Sequence, residues 1–323
     1  MGAPHLGPGR EFDLIREILT DAATPGPHVA VAAGDDCALV RAGEYYLALS
    51  LDLSIEGVHF QRDWGTPEEI GGRAVRAAAS DLAAMAAAPI GALVAVVAPA
   101  SDGGDLAVRL GRGARTAAET LGLTLLGGDL SRGGPTLALD VTAVGSVERP
   151  LLRGGVRAGD ELWVTGRLGD AAAAVAAWRS GGRPTAAERE RFWRPTPRLE
   201  EGRWLAARGA TAAIDVSDGL AADAGHLAAA SGVAIELEAA VVPRAQGGDL
   251  EMALSGGEDY ELLVALPAGV LASGDATEFE RRFGGPLTRV GRAVVGEGVR
   301  VFRDGEELRL ARAGYDHFVE DEA

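Results

Sequence analysis

The chain has 323 residues, enough for two domains of ordinary size, and its hydrophobic content of 47% and charged content of 24% are typical of globular proteins. A net charge of −16 argues against a nucleic-acid partner, because no basic face is available to neutralise phosphates. Every basic residue is Arg, and the absence of Lys excludes a P-loop lysine, a protein-kinase lysine and Schiff-base chemistry. The single cysteine, Cys37, excludes an intrachain disulfide and a cysteine-rich zinc site.

Neither a membrane span nor a signal peptide is predicted. The Ala-rich run over residues 74–100 is interrupted by Arg76, Asp81 and Pro89, so it does not supply the ~20 clean apolar residues that a span needs. Residues 1–10 lack the apolar segment of a signal peptide. We therefore expect a cytoplasmic protein without a membrane partner.

The first half of the chain alternates helical and strand patterns. Thr66 is predicted to cap a helix, with Pro67 in its first turn and Glu69 completing a capping box. Residues 45–53 and 90–98 are apolar on both faces, which predicts buried strands. We predict helices over 12–20, 66–87 and 105–121, and strands over 29–33, 45–53, 90–98, 124–126 and 136–147.

The second half repeats this alternation after a glycine-rich stretch at 145–159. We therefore place a domain boundary there, giving domains 1–148 and 149–323, and the alternation predicts the α/β class. Strands are predicted over 161–165, 212–216 and 260–266, a hairpin over 299–310, and helices over 170–178, 188–208 (broken at two prolines), 220–230 and 276–283.

Isolated aspartates recur in apolar or glycine-rich surroundings. Aspartate is unfavourable inside strands and helices, and one Gly-Asp pair is most simply a turn. The recurrence instead indicates a shared cation site, since hard cations such as Mg²⁺ prefer oxygen ligands. The aspartates concerned are Asp36, Asp52, Asp81, Asp129, Asp215 and Asp218.

Two glycine-rich segments predict contacts with phosphate. Residues 127–129 read Gly-Gly-Asp and residues 256–259 read Gly-Gly-Glu-Asp, and such turns let backbone amides approach phosphate oxygens. With several carboxylates and no Lys, they point to a polyphosphate held through several Mg²⁺ ions for phosphoryl transfer. Arg153 either reaches those phosphates or is a solvated surface charge. Among the histidines, His59 is the best candidate for a substrate contact, and His226 is predicted to be packed and hydrogen-bonded.

Motifs along the whole chain resemble those of the thiamine-monophosphate kinases, which belong to the aminoimidazole ribonucleotide synthetase-like superfamily. The resemblance rests on Glu11-Phe12-Asp13-Leu14-Ile15, Gly34-Asp35-Asp36-Cys37-Ala38, Glu56-Gly57-Val58-His59-Phe60, Ser80-Asp81-Leu82-Ala83-Ala84-Met85, Gly127-Gly128-Asp129, Ile214-Asp215-Val216-Ser217-Asp218-Gly219-Leu220, Ser255-Gly256-Gly257-Glu258-Asp259-Tyr260-Glu261-Leu262 and Gly314-Tyr315-Asp316-His317-Phe318.

The resemblance implies a two-domain protein, each domain a mixed sheet covered by helices, that forms a homodimer through its N-terminal domains. It implies transfer of the ATP γ-phosphate directly to thiamine monophosphate, the last step of thiamine diphosphate synthesis. The implied Mg²⁺ ligands are Asp36, Ser50, Leu51, Asp52, Asp81, Asp129, Asp215 and Asp218. The implied ATP contacts are Gly128, Asp129, Arg153 and Ser217, and the implied contacts with thiamine monophosphate are His59, Glu258 and Tyr315.

One departure from the family pattern affects the predicted metal site. Leu51 and Leu53 stand where the family commonly has Thr, so that Leu51 is left with its backbone carbonyl as a metal ligand. Selenophosphate synthetase and the hydrogenase-maturation relative are excluded because this chain lacks their cysteines. Aminoimidazole ribonucleotide synthetase and a non-catalytic metal or nucleotide sensor stay as alternatives.

Overall fold

The structure is a computed structural model that describes residues 6–22, 24–102, 104–245, 248–272 and 274–319. Its first half forms a six-stranded sheet in the order β1-β2-β3-β6-β4-β5, in which β4 and β5 are parallel and the other neighbours are antiparallel. The elements are α1 (Arg10–Leu19), β1 (Val29–Val31), β2 (Ala38–Ala42), β3 (Tyr45–Ile55), α2 (Pro67–Ala84), β4 (Ala88–Pro99), α3 (Asp105–Thr120), β5 (Thr124–Gly133) and β6 (Ala138–Val147).

The second half forms a seven-stranded sheet in the order β13-β12-β9-β11-β7-β10-β8, in which β9 and β12 are parallel. The predicted α/β fold with two mixed sheets is confirmed. The division at residue 148 stays a prediction. The elements are β7 (Glu161–Thr165), α4 (Asp170–Arg179), α5 (Ala186–Trp193), α6 (Leu199–Ala207), β8 (Ala212–Val216), α7 (Leu220–Ser231), β9 (Ala234–Glu238), α8 (Leu250–Ser255), β10 (Glu261–Leu266), α9 (Asp275–Phe283), β11 (Leu287–Val294), β12 (Gly298–Arg303) and β13 (Glu306–Leu308).

Helix α2 lies at the centre of the molecule, in contact with strands of both sheets. Its start is the predicted capping box, because the Thr66 hydroxyl accepts from the Glu69 amide while the Glu69 carboxylate accepts from the Thr66 amide. Its alanines are almost fully buried and allow close approach. At Gly71, an added Cβ would lie 2.1 Å from the Leu110 carbonyl oxygen of α3.

The prediction that β3 and β4 are buried on both faces is wrong. Helices α2 and α3 cover one face of the first sheet, and in the single chain the other face is open. Large apolar side chains on three of its strands are therefore exposed, with Leu51 at 65%. The remaining members of this open face are Leu53, Leu93, Val97 and Leu126.

Most other predicted elements lie within a few residues of the observed ones, but four were not predicted. Strand β2 follows directly on the acidic turn; the other three are β9, β11 and α8. In addition, β5 runs through the predicted glycine turn at 127–129, so that prediction is wrong. In the described part of the chain, no helix has the length and apolar character needed to cross a membrane.

The contact between α2 and α3 predicts a strict requirement for glycine at position 71. Gly71→Ala should lower the free energy of unfolding by roughly 1–3 kcal/mol, because the new methyl group overlaps a backbone oxygen that cannot move alone. Gly111→Ala in α3 is the matched control, since nothing lies within 4 Å of its added Cβ and alanine favours helix by about 1 kcal/mol. Urea unfolding of the two variants should shift in opposite directions, and equal shifts would contradict the packing described.

Candidate active site

Three carboxylates from three separate elements meet between the two sheets. Asp36 lies in the turn before β2, Asp81 in α2 and Asp215 on β8, and each offers an oxygen within 4.8 Å of the others. The Ser50 hydroxyl on β3 donates a hydrogen bond to Asp81. Such a set of oxygen ligands suits a divalent cation.

The cluster concentrates negative charge in a buried place. Burial raises the pKa of Asp215 to about 8, and the Asp36 charge adds to the shift. Burial also raises the pKa of Asp81 well above its ordinary value, with Asp215 as the next cause. A bound cation would favour the ionised forms of these groups.

Arg153 supplies the positive charge nearest to this cluster. Its Nη2 donates to Asp36 Oδ1 at 2.8 Å and its Nε to Asp36 Oδ2 at 3.3 Å, while its backbone amide donates to Asp35 Oδ2 at 3.1 Å. Only 16% of the Arg153 side chain is exposed, so the alternative of a solvated surface charge is wrong. Burial raises the pKa of Asp35 to about 7, with the Asp36 charge as the second cause.

Beside the cluster lies a cleft of about 920 Å³. Burial raises the pKa of Asp52 to about 6, with Glu258 as the second cause, and that of Asp218 to about 7, with Glu11 as the second cause. Most of the predicted site residues line this cleft. Those lining it are Leu51, Asp52, His59, Asp81, Asp215, Ser217, Asp218, Glu258 and Tyr315.

One end of the cleft is built around Glu258. Its carboxylate forms an ion pair with the buried Arg73 and accepts a hydrogen bond from the Tyr260 hydroxyl at 2.9 Å. Glu258 and Tyr260 have φ of 64° and 52°, a backbone conformation uncommon for residues other than glycine. The segment is thus held in an unusual shape where its side chains face the cleft.

Rings from two distant parts of the chain meet at the same cleft. His59 lies 5.1 Å from His317 and Tyr315 lies 4.9 Å from His317, measured between ring centroids. The Ile55 amide donates to His59 Nδ1 at 3.0 Å, so a neutral His59 carries its proton on Nε2. Burial lowers the pKa of His59, which favours this neutral form.

Gly128 and Asp129 lie away from the cluster. Asp52 on β3 pairs with Val141 on β6, Val141 pairs with Val94 on β4, and Val94 pairs with Gly128 on β5. Asp129 is the next residue along β5. Three strand spacings of about 4.8 Å separate β3 from β5 by roughly 14 Å. An added Cβ on Gly128 would lie 1.8 Å from the Val94 carbonyl oxygen, so this glycine permits close strand pairing.

Sequence analysis did not identify Arg73 and His317. Arg73, Ala77 and Asp81 follow each other at intervals of four along α2, and this spacing puts all three on one face. The available signal was an Arg two turns before the only Asp of an Ala-rich helix, on the same helical face. His226 was predicted to be packed and hydrogen-bonded, and it does pack on Phe12. Its buried Nδ1, however, has no hydrogen-bond partner in the described parts of the chain.

Comparison with known proteins identifies the family. Residues 34–147 match the AIR synthase related protein N-terminal domain, and residues 157–304 match the corresponding C-terminal domain. A thiamine-monophosphate kinase of Mycobacterium tuberculosis is 37% identical across 98% of this chain and 94% of its own length. The chain belongs to the thiamine-monophosphate kinase family. The Salmonella typhimurium kinase of that name is 34% identical across 96% of this chain and 98% of its own.

Solved structures of this family share the fold. The structure of AaThiL complexed with AMPPCP and TMP has a TM-score of 0.81 and 32% identity, covering 96% of this chain and 97% of that one. The HypE–HypF complex has a TM-score of 0.71 at 16% identity, covering 93% of this chain and 99% of that one, which shows a shared fold alone. The prediction of the family from sequence motifs is confirmed.

The raised pKa of Asp215 makes a prediction for the metal-free protein. Folded Asp215 keeps its proton up to a pH of about 8, whereas an unfolded aspartate releases it near pH 4. The folded state therefore binds more protons than the unfolded state in this window, so its stability should fall as pH rises from about 4 to about 8. We expect the thermal midpoint in EDTA to decrease over this range.

Asp215→Asn should flatten that decrease and raise the midpoint at pH 8, because the amide cannot ionise. Asp304→Asn, in the exposed turn between β12 and β13, is the matched control and should leave the pH dependence unchanged. A wild-type midpoint that rises steadily through the window would contradict the prediction.

Proposed function

We propose that this protein transfers the γ-phosphoryl group of ATP directly to the phosphate of thiamine monophosphate, giving thiamine diphosphate. One observation carries the proposal. A single cleft extends from the cluster of Asp81 and Asp215 to a second end that is lined by the rings of His59 and Tyr315 and by the Glu258 carboxylate. The family assignment and the structural relative bound to AMPPCP and TMP support the choice of substrates. A cytoplasmic location, where ATP is available as donor, completes the proposal.

We propose that several Mg²⁺ ions bind at the carboxylate end. The like charges of Asp36, Asp81 and Asp215 fit this role, since oxygens within 4.8 Å of one another are otherwise mutually repulsive. Bound Mg²⁺ would neutralise phosphate charge during transfer. The remaining proposed ligands of this chain are Ser50, the Leu51 carbonyl, Asp52 and Asp218.

Arg153 and Ser217 are the proposed ATP contacts. The fork of the Arg153 guanidinium, which holds Asp36 in the structure, has the right geometry for two phosphate oxygens. Once a cation binds Asp36, the same fork becomes available to ATP. Ser217 lines the cleft one residue from Asp218, which places a hydroxyl donor next to a proposed metal ligand.

At the other end, the residues match the parts of thiamine monophosphate. Tyr315 offers a ring face to the cationic thiazolium, a contact worth ~0.5–2 kcal/mol, and Glu258 offers negative charge. His59 is set to donate from Nε2 into the cleft. None of these groups is needed as a phosphate carrier, so we propose direct in-line transfer without a phosphorylated enzyme.

We further propose a homodimer in which each site takes Gly128 and Asp129 from the partner. Within one chain Asp129 lies three strands from Asp52, too far for one cation to contact both side chains. The open apolar face of the first sheet reaches β5 at Leu126, and Asp129 pairs with Ala95 on the same face, so a second copy packed there would bring its own β5 to this sheet. Contact across a two-fold axis is the commonest way to cover such a face.

The first test measures ADP formation with Mg²⁺ and different acceptors. Thiamine monophosphate should stimulate turnover, and thiamine should not, because only the former carries an accepting phosphate. Tyr315→Ala should raise the KM for thiamine monophosphate by about tenfold, on the scale of a lost cation–π contact, with little change in the KM for ATP. Tyr45→Ala, on an exposed part of β3, is the matched control.

Other outcomes of this test identify the competing functions. Turnover stimulated by formylglycinamidine ribonucleotide alone would assign the chain to aminoimidazole ribonucleotide synthetases. ATP binding without ADP formation for any acceptor would favour a sensor.

A mixing experiment tests the shared site. Asp52→Asn and Asp129→Asn should each lose about 10²-fold or more in kcat, as expected for a lost transition-state charge contact. When the two variants are unfolded together and refolded, mixed dimers should regain one intact site, giving about a quarter of the wild-type activity for random pairing. If both residues acted within one chain, every site would stay defective and the mixture would be as inactive as its parts.

A further inference from the structure

The turn between β8 and α7 connects the two halves of the proposed site. Its residues Ser217, Asp218 and Gly219 follow the last residue of β8, and the first two line the cleft. Their backbone carbonyls and amides face different parts of the protein. A turn of this kind is positioned by its backbone hydrogen bonds.

The amides of the turn converge on one buried carboxylate. Asp223, in the first turn of α7, is 1% exposed, and its Oδ2 accepts from the amides of Ser217, Asp218 and Gly219 at 3.1, 3.2 and 3.1 Å. Three hydrogen bonds to one carboxyl oxygen fix three consecutive peptide groups. Asp223 does not line the cleft, so it does not contact a substrate there.

The carbonyls of the same turn hold the residues proposed for the acceptor. The Glu258 amide donates to the Ser217 oxygen at 2.7 Å, and the Tyr315 amide donates to the Asp218 oxygen at 3.0 Å. Both contacts depend on a preceding glycine. An added Cβ at Gly257 would lie 2.6 Å from the Ser217 oxygen, and one at Gly314 would lie 2.4 Å from the Asp218 oxygen.

We propose that Asp223 is a positioning residue that aligns the ATP and metal groups of the turn with the acceptor groups attached to it. Without its carboxylate, three buried amides would lack an acceptor, and the turn would move to satisfy them with water. Ser217 and Asp218 would move with it, and so would Glu258 and Tyr315, because their amides bind the turn directly. This inference rests on the proposed function for the identity of the two substrates.

The test compares Asp223→Ala and Asp223→Asn with Asp160→Ala. Asp160 is also buried, at 5% exposed, and accepts from the Arg157 amide and the Thr211 hydroxyl, each at 2.9 Å. Thr211 precedes β8, so Asp160 stabilises the opposite end of the same strand. For each full-length variant the measurements are kcat, the KM for ATP, the KM for thiamine monophosphate, the Mg²⁺ concentration for half-maximal activity and the thermal midpoint.

Asp223→Ala should raise both KM values and the Mg²⁺ requirement together by ~10–100-fold, the range typical of residues that support a metal ligand. Asp223→Asn keeps one acceptor oxygen but replaces the other with an amide nitrogen, so it should shift the same three quantities in parallel by about threefold to tenfold. Asp160→Ala should lower the thermal midpoint and leave all three unchanged.

A folded Asp223→Ala with unchanged KM values overturns the inference, and so does a rise in only one of the two. If the Ala variant does not fold, unchanged KM values in Asp223→Asn overturn it equally. Matching shifts in Asp160→Ala would show that loss of stability is the cause. Absence of turnover by the wild-type protein on thiamine monophosphate would instead refute the proposed function. This outcome is distinguishable because the wild-type protein is assayed before any variant is made.

Discussion

Three buried carboxyl groups, held within 4.8 Å of one another and repulsive when ionised, are the constraint on which the arrangement of this protein depends. In an unfolded chain Asp36, Asp81 and Asp215 would lie apart, because burial and nearby like charges both disfavour their ionised forms. They stay together because each is attached to a different rigid element. The free energy that opposes their repulsion therefore comes from apolar packing elsewhere, and above all from α2.

Helix α2 can pack this closely because most of its buried side chains are those of alanine and glycine. Its alanines and glycines let α3, α6 and strands of both sheets approach its backbone, and at Gly202 of α6 an added Cβ would lie 2.2 Å from the Ala83 carbonyl oxygen. Such close backbone packing leaves little room for a side chain to move. Asp81 and Arg73 project from the same helix, so one rigid element fixes the distance between the carboxylate cluster and the ion pair of Glu258.

The absence of Lys has a structural counterpart in the way charge is paired. Arg73 donates to both the Phe192 carbonyl oxygen and Glu258, and Arg153 holds Asp36 through two nitrogens while its amide holds Asp35. A planar guanidinium can make several directed hydrogen bonds at once, whereas an ammonium group acts as a point charge. The buried acids of this site thus have partners that fix their orientation as well as their charge.

The sequence was informative wherever a local rule decides the outcome. The capping box at Thr66 and the turn at Asp304 were predicted correctly because each depends on neighbouring residues alone. Strand β2 pairs with β3 across a two-residue turn at residues 43–44, and this local hairpin was missed. Contacts that are decided by neighbours in space could not be predicted. The same limit applies to the open face, because an apolar strand in one chain can be covered either by its own helices or by another copy.

The position of Asp129 shows why motif recognition and structure contribute different information. Its motif groups it with the other acids, and that grouping follows from chemistry that is common to the family. The strand order places it on β5, with β6 and β4 between it and β3, and no sequence rule predicts that order. To act in the proposed site, Asp129 would need either a long ligand or a second chain, because two strands lie between it and β3. The exposed leucines of the open face, Leu126 on β5 among them, favour the second chain, because apolar side chains of this size gain about 1.5–3 kcal/mol each when they are removed from water.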